Sequence, residues 1–170
     1  VKNPVEIVIS PREVTAKTVT QWLCPVDKKR KPALLVRLIF DYQWQKLLVF
    51  TATKRGADQL VRFLHEHNVS AAAVHGDRSQ QQRMQALADF KQGRFAVLVA
   101  TDVAARGLDI EQLPQVVNFD LPKVAENYIH RIGRTGRAGA SGEAVSLVSA
   151  DEIESLKTIE QLIQQVLPRK

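Results

Sequence analysis

The sequence predicts an α/β fold built on a mostly parallel sheet with helices on both faces, and three observations carry that expectation. Runs such as Leu47-Leu48-Val49-Phe50 and Ala96-Val97-Leu98-Val99-Ala100 are apolar throughout rather than alternating, as befits strands covered on both sides. Between such runs, apolar residues recur at helical spacing. Polar residues gather just after the runs: Thr51 and Thr53, His75-Gly76-Asp77, Thr101-Asp102, and Asn118 to Asp120. In an open parallel sheet that is where ligands bind, outside the carboxyl ends of the strands.

Taken in order, Val5 to Ile9 and Val19 to Leu23 are strand-like stretches separated by the polar segment Ser10 to Thr18. Asp27-Lys28-Lys29-Arg30-Lys31 is a basic run before Pro32. Residues 1–30 therefore read as an interdomain linker and the lead-in to a domain spanning 31–170. Pro32 suits the first turn of a helix with Leu34, Leu35, Leu38 and Ile39 on one face, and the basic run reads as its solvated start. Leu47 to Phe50 is a buried strand, followed by a helix through Ala57, Leu60, Val61 and Leu64. Val69 to Val74 is the next strand, then a helix carrying Met84, Leu87 and Phe90, then the strand Ala96 to Ala100. Gln115 to Phe119 and Ala144 to Val148 are two more strands, with a helix through Tyr128 between them. The last helix carries Ile153, Leu156, Ile159, Ile163 and Val166 on one face.

Composition narrows the class. Of 170 residues, 45% are hydrophobic and 25% charged, which argues against disorder. No apolar run approaches the roughly 20 residues of a membrane span, and Val1-Lys2-Asn3-Pro4 lacks a signal-peptide layout. The one cysteine, Cys24, allows neither a disulfide framework nor a thiolate zinc site. The expectation is a soluble, cytoplasmic protein with no membrane partner and no metal ligands of its own. A net charge of +6 favours a polyanionic partner.

The segment His130-Arg131-Ile132-Gly133-Arg134-Thr135-Gly136-Arg137 says what the anion is for. It puts three arginines and a histidine into a glycine-broken turn. Guanidinium forks match phosphate geometry, and glycines let backbone N–H groups approach an anion. A nicotinamide-type dinucleotide domain would need G-x-G-x-x-G after its first strand, and Thr51-Ala52-Thr53-Lys54-Arg55-Gly56 is not that.

Together the motifs resemble a known family. Thr101-Asp102-Val103-Ala104-Ala105-Arg106-Gly107-Leu108-Asp109, followed by the His130 to Arg137 segment, looks like motifs V and VI of the DEAD-box RNA helicases. Leu48-Val49-Phe50-Thr51-Ala52-Thr53 resembles motif IV, and Gln80-Gln81-Gln82-Arg83 resembles the Q-x-x-R motif that follows it. The likeness runs from about Val19 to Val148, and its wording is similar to the bacterial RhlE-type members. There is no G-x-x-x-x-G-K-[ST] loop and no Asp-Glu-Ala-Asp segment. The resemblance thus implies the second, C-terminal RecA-like domain, a three-layer sandwich, with an N-terminal RecA-like domain belonging before it.

The resemblance also implies roles. Arg134 and Arg137 would act as arginine fingers on the γ-phosphate of ATP, and His130 would reach the acidic motif of the other domain. Gly107 and Asp109 would lie at the nucleotide, with Asp109 accepting from a ribose hydroxyl. Arg106 and Arg131 would face the interdomain cleft. Thr53, Gly76, Arg83 and Thr101 would contact the backbone of single-stranded RNA. ATP with Mg2+, the metal held mainly by the other domain, is the implied cofactor. The implied activity is RNA-stimulated ATP hydrolysis that separates short RNA duplexes or remodels RNA–protein complexes, with ribosomal or RNA-decay assemblies as partners. This fragment alone is expected to be inactive. The other class is a non-catalytic RNA-binding or scaffolding module of the same fold, for which ordinary surface lysines would suffice.

Overall fold

The computed structural model of the chain describes residues 5–6, 19–76, 79–106, 108, 110, 113–135 and 142–169. Strands β1 (Val5–Glu6), β2 (Val19–Pro25), β3 (Leu47–Phe50), β4 (Ala71–Val74), β5 (Val97–Ala100), β6 (Gln115–Asn118) and β7 (Gly142–Val148) form one sheet in the order β1-β2-β7-β6-β3-β5-β4. From β2 to β4 every pairing is parallel, and β1 adds to β2 antiparallel. The helices are α1 (Lys31–Tyr42), α2 (Lys54–Glu66), α3 (Gln80–Lys91), α4 (Asp102–Ala105), α5 (Ala125–Ile132) and α6 (Ile153–Ile163).

Because side chains alternate along a strand, each apolar run serves two cores. Leu47, Val49, Val97 and Val99 pack with Leu35, Leu38 and Ile39 of α1 and with Ala57, Leu60 and Leu64 of α2. Leu48, Phe50, Leu98 and Ala100 point the other way, onto Leu87 and Phe90 of α3 and Ala104 and Ala105 of α4. On that same face Ala144 and Val148 of β7 meet Tyr128 and Ile132 of α5 and Leu156 and Ile159 of α6. The sheet is covered on both sides, as the unalternating runs require.

Several boundaries differ from the sequence reading. Val19–Pro25, within the stretch read as linker and lead-in, is a strand paired along its whole length from Val19↔Gly142 to Pro25↔Val148. Burial of Trp22, Leu23 and Cys24 holds it there. The strand expected from Val69 starts at Ala71, because α2 closes with Asn68 in the left-handed region (φ 63°) and the Val69 amide returns to the Leu64 carbonyl at 2.9 Å. The last helix stops at Ile163. Gln164 is left-handed (φ 58°), Val166 is exposed, and the chain turns back so that the Leu23 amide donates to the Pro168 carbonyl at 2.8 Å. The basic run divides: Lys28–Arg30 is an exposed 3₁₀ turn, whereas Lys31 is buried. Ile7 to Ile9 of the first expected strand lie outside the described residues.

Candidate functional site

Parallel register sets the rim of the molecule level. Val74, Ala100, Phe50 and Asn118 stand side by side as the last paired residues of β4, β5, β3 and β6. The residues that follow them, His75, Thr101, Thr51 and Phe119, therefore leave the sheet at one height. Amides from this row bond across it, Thr51 to the Ala100 carbonyl and Phe119 to the Phe50 carbonyl, each at 3.0 Å.

Two threonines on the rim are helix caps. Thr53 Oγ1 accepts from the Gly56 amide at 3.0 Å and opens α2, and Thr101 Oγ1 accepts from the Ala104 amide at 3.4 Å and opens α4. A cap uses the hydroxyl oxygen as acceptor and leaves its O–H to donate outward. The Thr53 cap requires a small neighbour, since a Cβ on Gly56 would sit 3.0 Å from Oγ1. Gly76 follows the buried His75, whose Nε2 bonds Asp58 Oδ1 at 3.0 Å. Among the described residues nothing lies within 4 Å of where a Gly76 side chain would begin.

Arg83 rides on α3, whose first turn is fixed by a capping box: the Ser79 hydroxyl takes the Gln82 amide and the Gln82 side chain takes the Ser79 amide. Gln80 is exposed and Arg83 half-buried. The Arg83 Nε is shielded from solvent without a hydrogen-bond partner among the described residues.

The arginine-rich segment splits its side chains between interior and rim. His130 is exposed on α5. Arg131, expected to face the interdomain cleft, is 2% exposed and spent inside the chain. Its Nε and Nη2 donate to the two Asp102 oxygens at 2.7 and 2.8 Å. Its Nη1 donates to Asn118 Oδ1 at 3.1 Å and to the Asp120 carbonyl at 2.6 Å, and the guanidinium lies 5.0 Å from the Phe50 ring centre. That corrects the sequence reading. Arg131 faces inward because it follows Tyr128 by three and precedes Ile132, both fully buried.

Arg134, past the end of α5, is only half-buried and lies along the chain that follows α4. Its Nη2 donates to the Ala105 carbonyl at 3.1 Å, and its Nη1 donates to the carbonyls of Leu108 at 3.1 Å and Ile110 at 3.5 Å. The two segments are further joined by the Leu113 amide on the Arg134 carbonyl at 3.1 Å and by the Thr135 hydroxyl on the Leu113 carbonyl. Arg106 is exposed at the end of α4. Gly107, Asp109 and Arg137 lie outside the described residues. Thr101, Arg106 and Arg134 are thus brought onto one stretch, with Thr53 beside it through the register of β3 and β5.

A buried polar group extends from the rim into the molecule. Asn118 Nδ2 donates to Ser146 Oγ at 3.1 Å, and the Tyr128 hydroxyl donates to Gln21 Oε1 at 2.5 Å. Burial pushes the Tyr128 hydroxyl far above its ordinary pKa, so it stays a donor at any working pH. The sequence reading put Asp120 among the polar strand-end residues and Lys31 in a solvated helix start, and assigned no part to Glu152. Lys31 Nζ is nevertheless bonded to the Phe119 carbonyl and to Glu152, each at 2.6 Å, with Asp120 at 3.4 Å. The available signal was helix phase: Lys31 stands four before Leu35 and seven before Leu38, on the inward stripe.

The fold and rim have close counterparts. Residues 30–139 match the family described as the helicase conserved C-terminal domain. The chain is 42% identical over 98% of its length to the DEAD-box ATP-dependent RNA helicase CshA of Bacillus licheniformis, covering 34% of that protein. It is 43% identical over 99% of its length to the ATP-dependent rRNA helicase RRP3 of Saccharomyces cerevisiae, again 34% of that protein. It spans about a third of the length of these curated relatives. Among solved structures, the E. coli DEAD-box protein SrmB bound to regulator of ribonuclease activity A superposes with a TM-score of 0.86 at 37% identity, covering 91% of each chain. S. cerevisiae Dbp5 bound to RNA and ADP BeF3 superposes at 0.78 and 34%, covering 88% of this chain and 40% of that one.

Proposed function

This chain belongs to the DEAD-box RNA helicases, as their helicase conserved C-terminal domain, and from that premise we propose that it is the second RecA-like half of an ATP-dependent RNA helicase. In this reading residues 31–170, with β2 added from the preceding lead-in, close together with an N-terminal RecA-like domain on ATP and single-stranded RNA. Opening then releases one strand of a short duplex or frees a bound protein. The observation that carries this reading is the level rim, on which two threonine caps follow the neighbouring strands β3 and β5 while Arg134, past α5, reaches the end of α4 beside them.

On the nucleotide side, Arg134 and Arg137 reach the γ-phosphate, His130 and Arg106 meet the other domain, and Gly107 with Asp109 holds the ribose. The fit of Arg134 is supported by its present bonds. Its guanidinium lies beside the chain that follows α4, bonded to the carbonyls of Ala105 and Leu108, and its planar fork of donors matches phosphate geometry. The fingers stabilise charge that develops on the transferring phosphoryl group. Magnesium is held mainly by the other domain.

On the RNA side, Thr53 and Thr101 donate hydroxyls to backbone phosphates, the Gly76 backbone, open among the described residues, admits close approach, and Arg83 on α3 adds a phosphate contact. Phosphate and ribose contacts position RNA without reading its sequence. Dbp5 holding RNA and ADP BeF3 in the same fold supports both sides of this rim. The naming of one relative as an rRNA helicase, and the ribonuclease regulator on another, support ribosomal or RNA-decay assemblies in the cytoplasm as the setting.

The test is hydrolysis by the purified chain. It should turn over no ATP with or without RNA, and joining it to a first domain in one polypeptide should create RNA-stimulated turnover. Activity in the isolated chain, or a joined protein that binds RNA yet stays inert, would favour a different enzyme or a scaffolding module.

A further inference from the structure

Lys31 opens α1 on its inward stripe, and its side chain is 1% exposed. A buried ammonium is costly unless its protons are matched. Here three donors meet three acceptors: the Phe119 carbonyl at 2.6 Å, Glu152 Oε1 at 2.6 Å and Asp120 Oδ1 at 3.4 Å. The other Glu152 oxygen takes the Leu121 amide at 2.7 Å. Lys31 and Glu152 therefore clamp the three residues that follow β6. Asp120, held in the middle, faces two ways. Its Oδ2 accepts from the Ala52 amide at 2.8 Å, and its carbonyl accepts from Arg131 at 2.6 Å.

Each of those bonds leads to a rim threonine. Ala52 precedes Thr53, and both are exposed, so no apolar packing fixes that turn. Arg131 grips Asp102, the residue after Thr101, with both carboxylate oxygens. A continuous series of buried or half-buried charges thus runs from Lys31 through Asp120 to the turn after β3 on one side, and through Arg131 to the turn after β5 on the other.

We propose that Lys31 and Asp120 are positioning residues for RNA: the buried ammonium fixes Asp120, and Asp120 sets where the Thr53 and Thr101 hydroxyls stand relative to one another. The proposal rests on the reading of those threonines as phosphate contacts. Its physical logic is charge balance. With the ammonium gone, the Asp120 and Glu152 carboxylates face each other without a cation. The more exposed of the two, Asp120 at 21% against 13%, swings toward water and releases the Ala52 amide. The turn at Thr53 then loosens while the strands beneath it stay paired.

The test uses the whole 170-residue chain, with amide hydrogen exchange read residue by residue and affinity measured for a short single-stranded uridine oligomer at low salt. In Lys31→Met, exchange at the Ala52 amide should quicken while Val99 and Val117 in the central strands keep their protection. Affinity should fall on the order of tenfold, the worth of a misplaced hydrogen bond to a charged group. Adding Glu152→Gln removes the surplus carboxylate, and the double variant should recover part of both effects. A role limited to core stability would show no such recovery, and its damage would spread to Val99 and Val117. Should Lys31→Met fail to fold, Asp120→Asn and Asp120→Ala replace it: the asparagine keeps an oxygen for the Ala52 amide, so it should lose less than the alanine. The proposal is overturned if Ala52 exchange does not change. It is also overturned if exchange quickens while affinity holds in a chain whose Thr53→Ala variant binds less well. If Thr53→Ala and Thr101→Val both bind at the wild-type level, the phosphate reading itself is wrong, and the proposal goes with it.

Discussion

Arg131 and Arg134 stand one helical turn apart in a segment whose composition announces phosphate, yet they do opposite work. Arg131 follows Tyr128 by one turn and is locked to Asp102 inside the rim, whereas Arg134 lies past the helix end, half-buried and bonded to the Ala105 carbonyl. The two should differ in what they cost the fold. Arg131→Met strands the Asp102 carboxylate and should lower stability by about 3 kcal/mol, while Arg134→Ala should cost about 1 kcal/mol or less, both read by urea denaturation of the chain. Equal losses would make Arg134 a structural arginine. A second residue-scale prediction concerns Asp151, whose carboxyl is held below its ordinary pKa chiefly by the Ser149 hydroxyl, with Lys28 and Lys31 adding a smaller attraction. A depressed folded pKa gives stability that is present above the unfolded value and lost as pH falls through the folded one. Ser149→Ala should therefore raise the Asp151 pKa in an NMR titration, and an unmoved titration would refute the hydroxyl as cause. At this scale the sequence marked an arginine-rich segment but not which of its side chains turns inward. Composition finds arginines, whereas the end of α5 at Ile132 separates Arg131 from Arg134, and the start of α1 at Lys31 separates that buried lysine from exposed Lys28, Lys29 and Arg30.

Elements were most legible where one run of residues settles the question. Leu47 to Phe50 and Val97 to Ala100 are apolar on both faces and became β3 and β5. The parallel pairing of β2 with β7 joins residues more than a hundred positions apart, as in the bond from Trp22 Nε1 to Glu143 at 2.5 Å. No local pattern reports such a partner, which is why Val19 to Leu23 read as strand-like but as part of a lead-in rather than of the sheet. Periodicity also carried the last helix through Val166, but Leu167 packs in the core beside Leu23 only if the chain turns back after Ile163. The third helix gives the clearest functional prediction at this scale. Its capping box holds the first turn, which carries Arg83. In the two-domain protein with an unhydrolysable ATP analogue, Arg83→Ala should reduce the slope of log affinity against log salt by roughly 0.7 for single-stranded RNA, whatever its sequence. An unchanged slope makes Arg83 a helix residue only. A loss for one of two unrelated RNAs makes it a base reader.

Across the whole molecule, a net charge of +6 and a rim of strand ends carrying threonine, glycine and arginine describe half of a composite site. Neither half of that description names an RNA. Identity is nearly the same to a Bacillus and to a yeast relative, so the likeness does not single out the RhlE-type subgroup. What the chain holds on its own is a pre-set rim, with Arg134 already placed beside the segment after α4 by three carbonyl bonds. In the proposed reading another domain brings the phosphate. The most direct measurement is therefore RNA-stimulated ATP turnover by this chain joined to a first RecA-like domain, compared between wild type and Arg134→Ala. A finger acts mainly in the transition state, so the variant should lose kcat by as much as about 10³-fold while ATP affinity changes far less. If kcat stayed within about twofold and only KM moved, Arg134 would be a ground-state binding residue, and the reading of this rim as half of an ATP-hydrolysing site would be contradicted.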